Sequence, residues 1–486
     1  MVFSSLIFIY AFFPIFLLAY KLCKTKQAQN IILLVFSLIF YACGEPKYIL
    51  LLMFMSLSSW YFALKIENET KLKKRRLELF ISCAINLLLI VYFKYSSFLI
   101  SIFTDVPEFI SKIGLPLGIS FYTFQLLSYV VDVYRNEVTA QKNYWNVLLY
   151  ASLFHQCIAG PIVRYSSLSS ELFDPSPRQP EPNSGVSRFC VGLAKKTLLA
   201  NPCGALADRM LLSGNTLADA AMYAENLHHI ESLSVSGAWL GILAYGLQIY
   251  LDFSAYSDMA IGMGRILGLH YPENFNYPYI SRSIKEYWQR WHITLSSFFR
   301  DYVYIPLGGN RRRLPRVILN TFIVWFLTGL WHGANWNFIL WGMWFFILIV
   351  FEKYILKDSL SKIPVLSNIL TLFFVFLSWV FFRFEDINVL TSVLKTLFGL
   401  NNNAFVNLQS SIIFKNNMYL LIAAIIASTP LPHLLRLKTQ SRAAVSSKLS
   451  NLYNIIFYSV IPVILLILST ASLVGDSYNP FIYFQF

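Results

Sequence analysis

Between Val317 and Phe351 the chain runs for 35 residues without an Asp, Glu, Lys or Arg. As one straight helix this stretch would measure roughly 52 Å at 1.5 Å per residue, well beyond the ~30 Å hydrocarbon thickness of a bilayer. It must therefore tilt steeply or break. The expected break is Gly329-Leu330-Trp331-His332-Gly333, where two glycines flank the only ionisable group in the run. His332 falls at position 16 of the 35, close to mid-membrane.

Composition agrees with a membrane environment. Apolar residues make up 56% of the 486 and charged residues only 13%, about half the quarter usual in soluble domains. Mean hydropathy is +0.55. A water-soluble fold needs more polar surface than this, which excludes a cytosolic enzyme, a disordered chain and a secreted domain. The fold class is all-α, a polytopic helical membrane bundle.

The net charge of +14 sits in short clusters between apolar runs. This is the positive-inside pattern, with membrane lipid headgroups rather than nucleic acid as partners. The clusters are Lys21, Lys24 and Lys26; Lys65 with Lys71 to Arg76; and Arg436, Lys438, Arg442 and Lys448. They predict cytosolic loops and both termini on the outer side of the membrane. Spans are expected over 1–20, 27–44, 48–64, 79–103, 113–131 and 450–475. Residues 174–184 (DPSPRQPEPNS) hold four prolines and read as a loop inside one 1–486 domain, with no separate soluble domain. No internal repeat is evident, which disfavours a transporter built from inverted halves. The six cysteines show no CxxC and read as buried apolar thiols, with neither metal site nor disulfide framework.

A histidine at the depth of His332 needs water, a polar partner or a task. If helical, Gly329, His332, Gly333 and Trp336 share a face, leaving space beside the imidazole; the alternative is a packed histidine between helices. His292 is the second candidate, on an expected amphipathic helix whose Trp288, His292, Leu295 and Phe299 share a face. His155 precedes a Gly160-Pro161 break that reads as re-entrant. Asp252 and Asp258, inside an apolar run, should face the interior with Arg265, Arg290 or Arg300 as partners, because a buried carboxylate is costly alone. Lys285, Arg290, Arg300, Arg311, Arg312, Arg313 and Arg316 form the densest basic region. It marks either topology alone or the entrance for a phosphate-bearing donor. Two functions stay open on the residues: acyl transfer with histidine as base, or transport through a His332, Asp252 and Asp258 proton relay.

Seven strings resolve this by resemblance. They are LPLGISFYTFQLLSYVVDVYR (115–135), IAGPIVRY (158–165), GLAKKTLLAN (192–201) and YGLQIYLDFSAYSDMAIGMGRILG (245–268). The others are NFNYPYISRSIKEYWQRWHITLSSFFRDYVYIPLGGNRR (274–312), TGLWHGANWNFILWGMW (328–344) and NPFIYFQF (479–486). Over nearly its whole length the chain resembles the membrane-bound O-acyltransferase family, in the bacterial branch that acylates alginate, peptidoglycan or teichoic acid.

The resemblance implies a helical bundle around a funnel with re-entrant or broken helices. His332 matches the family's catalytic histidine and His292 the second histidine of this branch. Pocket residues would be Trp331, Asn335, Trp336, Asp252 and Asp258. Donor phosphates would meet Arg311, Arg312, Arg313 and Lys285. The implied reaction moves an acetyl group from a cytosolic thioester, acetyl-CoA, to an exported or cell-wall polysaccharide, with no bound cofactor and no metal. A separate periplasmic SGNH-type acetyltransferase or esterase is the implied partner. The alternative within the family is D-alanyl transfer from a carrier protein to teichoic acid. The roles open to His292 are orienting the nucleophile, stabilising the oxyanion or protonating the departing thiol.

Overall fold

The computed structural model describes residues 2–157, 160–212, 220–356, 363–475 and 478–480. Among these the regular structure is entirely helical. Eight helices are long and apolar enough to cross a membrane, so this is a multi-pass membrane protein. The helices fall into two compact units, Met1–Val191 with Tyr256–Glu273, and Gly192–Ala255 with Asn274–Phe486. The 33-residue helix Val235–Leu267 supplies residues to both.

In the first unit the long apolar helices are Lys26–Gly44, Pro46–Asn68 and Leu72–Ser101. The first of these starts where the Thr25 side chain accepts from the Ala28 N–H, an N-cap. Inside the bilayer Asn86 donates to the Ser59 hydroxyl at 3.1 Å, a polar link of the kind that joins membrane helices. Two expected spans come out shorter than a bilayer requires. The N-terminal one is an apolar helix over Phe8–Leu22. The one expected at 113–131 is Ile119–Tyr134, 16 residues and nearly all buried. Its periodicity was ambiguous because a helix buried on every side looks as apolar as one facing lipid.

The 174–184 loop ends sooner than expected, since a helix begins at Pro182, where proline's fixed φ suits a first turn. Of the six cysteines, Cys157, Cys190 and Cys203 are buried but Cys43 is exposed, so the all-buried reading fails there.

In the second unit the charge-free run breaks at the expected place. Helix Leu314–His332 stops at His332, and helix Trp336–Phe351 starts four residues later. The two pack tightly because Gly329 and Gly342 face each other's backbones. A Cβ on Gly342 would lie 2.4 Å from the Trp325 carbonyl oxygen, and one on Gly329 2.4 Å from that of Phe338. Pro364–Arg383, Leu408–Ala427 and Ser447–Gly475 complete the apolar set.

Candidate active site

His332 is the last helical residue before the break, with Gly333 already extended at φ −171°. It is 4% exposed. Its ring meets Trp331 at 4.9 Å, Trp341 at 4.8 Å and Phe382 at 5.2 Å, all edge-on. Three aromatic walls exclude bulk water, so charge developing at the imidazole would be poorly screened.

The break changes two expectations. Trp336 opens the next helix and is 50% exposed, so it shares no helical face with Gly329 and His332. Asn335 caps that helix, its oxygen accepting from the Trp336 N–H at 2.6 Å while its amide donates to Glu385 at 3.2 Å. Its contacts are those of a cap.

His292 departs further from its expected setting. Instead of one amphipathic helix, the chain forms Ile284–Arg290 and Ile293–Phe299 with a turn between them. His292 occupies that turn in the left-handed region, at φ 43° and ψ 54°, and is completely buried. A non-glycine residue there carries strain that the surroundings must offset, a feature that clusters at functional sites. The Glu352 carboxylate helps hold the first helix by accepting from the Ile284 and Lys285 N–H groups. Phe253 stands edge-on to the His292 ring at 4.7 Å and Trp331 at 5.6 Å. Trp331 thus touches both imidazoles. His292 lies outside the eight apolar helices, and its burial pushes its pKa well below the ordinary value, leaving it neutral at physiological pH.

The carboxylates found other partners than the arginines expected for them. Asp252 pairs with Lys196 at 2.9 Å, both side chains almost fully buried. In the first unit Asp258 pairs with Arg188 at 2.9 Å and is itself partly exposed. Arg265, Arg290 and Arg300 instead meet Glu273, Glu286 and Asp301. Removing one partner from a pair as buried as Lys196–Asp252 strands a charge, so this pair reads as scaffold. His155 sits in the first unit, buried, 2.6 Å from the Tyr271 hydroxyl. Ile158 and Ala159 of the string beside it lie outside the described residues.

The basic region forms an open cleft of about 770 Å³ lined by Arg300, Tyr304, Asn310, Arg311 and Arg312 among others. Arg313 and Lys285 are exposed but do not line it. A second, mostly apolar cavity of about 150 Å³ shares Arg300 and Tyr304 with the cleft and continues to Trp288, Ser296, Trp325 and Thr328. Ser296 lies one helical turn after His292, and Thr328 one turn before His332. Sequence reasoning missed Asn274, which contacts His292, and Trp341 and Phe382, which wall His332. Asn274 opens the NFNYPY string, but nothing in that string sets it apart from Asn276; the others are two among many aromatics.

Two buried histidines that both meet Trp331, a break between two apolar helices and a basic cleft make up the candidate site. The chain belongs to the membrane-bound O-acyltransferase family, whose model matches residues 48–394, and it is therefore an acyltransferase. It is 35% identical over 408 residues to the probable alginate O-acetylase AlgI of Pseudomonas aeruginosa, covering 82% of this chain and 75% of that protein. The probable alginate O-acetylase AlgI of Pseudomonas putida is 31% identical over 507 residues, the full length of both. The peptidoglycan O-acetyltransferase of Helicobacter pylori is 32% identical over 447 residues, 84% of this chain and 82% of that protein.

Proposed function

We propose that this protein moves an acetyl group from cytosolic acetyl-CoA, through the inner membrane, for O-acetylation of an exported or cell-wall polysaccharide. The carrying observation is the pair of cavities that share Arg300 and Tyr304. One presents arginines suited to phosphates. The other is small, mostly apolar and lined by Ser296, four residues after His292, and Thr328, four residues before His332, which suits the thin arm of a thioester. The names of the relatives support the acceptor class.

His332 is the base in this reading. Its imidazole takes the proton of the acceptor hydroxyl as that oxygen attacks the thioester carbonyl carbon. The carbon–sulfur bond then breaks, and the imidazolium returns the proton to the departing thiolate. The acetyl group has passed from sulfur to oxygen and the proton from oxygen to sulfur, with no net charge left in the site. General-base catalysis of this kind contributes roughly 10²–10⁴-fold. Only the acyl group crosses, and a periplasmic SGNH-type partner completes delivery to the polymer.

Two donors distinguish this from D-alanyl transfer. Purified protein in vesicles should release free thiol from acetyl-CoA when an acceptor is supplied. Release only from a D-alanyl carrier protein would replace the acetyl reading with the D-alanyl one.

A further inference from the structure

The side-chain oxygen of Asn274 accepts from three donors at once. It lies 3.1 Å from His292 Nδ1, 2.8 Å from the Thr294 hydroxyl and 3.3 Å from the Thr294 backbone N–H. Its own carbonyl accepts from the Ile293 N–H at 2.9 Å. Asn274 therefore caps the first two N–H groups of helix Ile293–Phe299 from outside the helix, which helps hold His292 in its left-handed turn.

The same contacts settle a chemical ambiguity. A backbone N–H can only donate, so the Asn274 atom facing Thr294 is the oxygen rather than the amide nitrogen. An oxygen there can only accept from His292, which puts the imidazole proton on Nδ1. His292 Nε2 then carries the lone pair, and it has no hydrogen-bond partner among the described residues.

We propose that Asn274 is a positioning residue that locks His292 in the Nδ1–H tautomer, so that Nε2 accepts a hydrogen bond from a neighbouring hydroxyl of the acceptor and leaves the attacking hydroxyl's proton to His332. This rests on the acyl-transfer reading above and narrows it. A neutral His292 with its proton on Nδ1 cannot donate from Nε2 to an oxyanion or a leaving thiolate; it orients the nucleophile. Among the described residues, Phe253 and Trp331 stand edge-on to the ring and Asn274 hydrogen-bonds it, and none of the three titrates. On the helix of Phe253, Asp252 is already paired with Lys196. On that of Trp331, the ionisable neighbour is His332.

Asparagine suits this task better than aspartate would. A carboxylate at 274 could accept from the same donors and keep the cap, but it would favour the imidazolium and fill Nε2 with a proton.

The test is nitrogen NMR on the full-length protein labelled with ¹⁵N-histidine, with the His292 signals assigned by their loss in His292→Gln. At neutral pH a protonated Nδ1 and a bare Nε2 are expected; an Nε2–H tautomer or an imidazolium overturns the proposal. Asn274→Asp should move the acid limb of the pH–rate profile up by about one pH unit or more, with activity recovering at high pH. A profile superimposed on that of the wild type also overturns it. Undiminished activity in His292→Gln would overturn the role given to Nε2, whereas absence of thiol release from acetyl-CoA in the wild type would refute the acyl-transfer reading and leave the tautomer measurement standing.

Discussion

Replacing Gly342 with alanine tests whether the approach of two helices sets the geometry around His332. The new Cβ would lie 2.4 Å from the Trp325 carbonyl oxygen and close to Gly329. Ordinary contact starts near 3.4 Å, and the obstacle is backbone, so helices Leu314–His332 and Trp336–Phe351 must part by about 1 Å. Overpacking of this kind costs typically 1–3 kcal/mol of stability. The larger effect should be catalytic. Trp341 precedes Gly342 and holds the His332 ring edge-on at 4.8 Å, so the wall moves with the helix. A misplacement near 1 Å at a reacting group can cost about 10²-fold in rate. The assay is acetyl transfer by purified Gly342→Ala in vesicles, alongside its thermal inactivation temperature. Gly475→Ala is the control, since a Cβ there meets nothing within 4 Å. Wild-type kcat in Gly342→Ala would show that the approach of the two helices does not set the geometry around His332.

Two further expectations follow from charge. Replacing Arg300, Arg311 and Arg312 together with glutamine should raise the KM for acetyl-CoA about tenfold or more and leave kcat nearly unchanged, because phosphate contacts act equally in ground and transition states. An unchanged KM would leave these arginines a topological role. Lys73→Cys and Lys438→Cys should react with a membrane-impermeant thiol reagent only after permeabilisation, whereas Ser477→Cys, outside the described residues, should react in intact cells. External labelling at position 73 or 438 would invert the sides assigned to donor and acceptor.

The break that carries His332 in the candidate site was legible because its signals are local. A charge-free run too long for one span had to break, and paired glycines around a lone histidine marked where. The long family strings then singled out His292. What escaped was tertiary. The left-handed turn at His292 depends on oxygens supplied by Asn274, 18 residues earlier, and no helical periodicity reports that. The partner of Asp252 is Lys196, from another helix, and nearby arginines in sequence were the wrong guide. Trp336 looked like a wall only while the helix was imagined to continue past His332. Ile119–Tyr134 looked like a span because apolarity does not say whether lipid or protein surrounds a helix.

The central claim is that His332 is the proton acceptor in transfer from a thioester to a hydroxyl. It is tested most directly by acceptor-dependent thiol release from acetyl-CoA, with wild-type protein and His332→Ala compared at equal folded amounts in vesicles. The expected result is one thiol released per acetyl ester formed in the wild type, and a fall of roughly 10²–10⁴-fold in His332→Ala with membrane insertion intact. Half or more of the wild-type rate remaining in His332→Ala would contradict it.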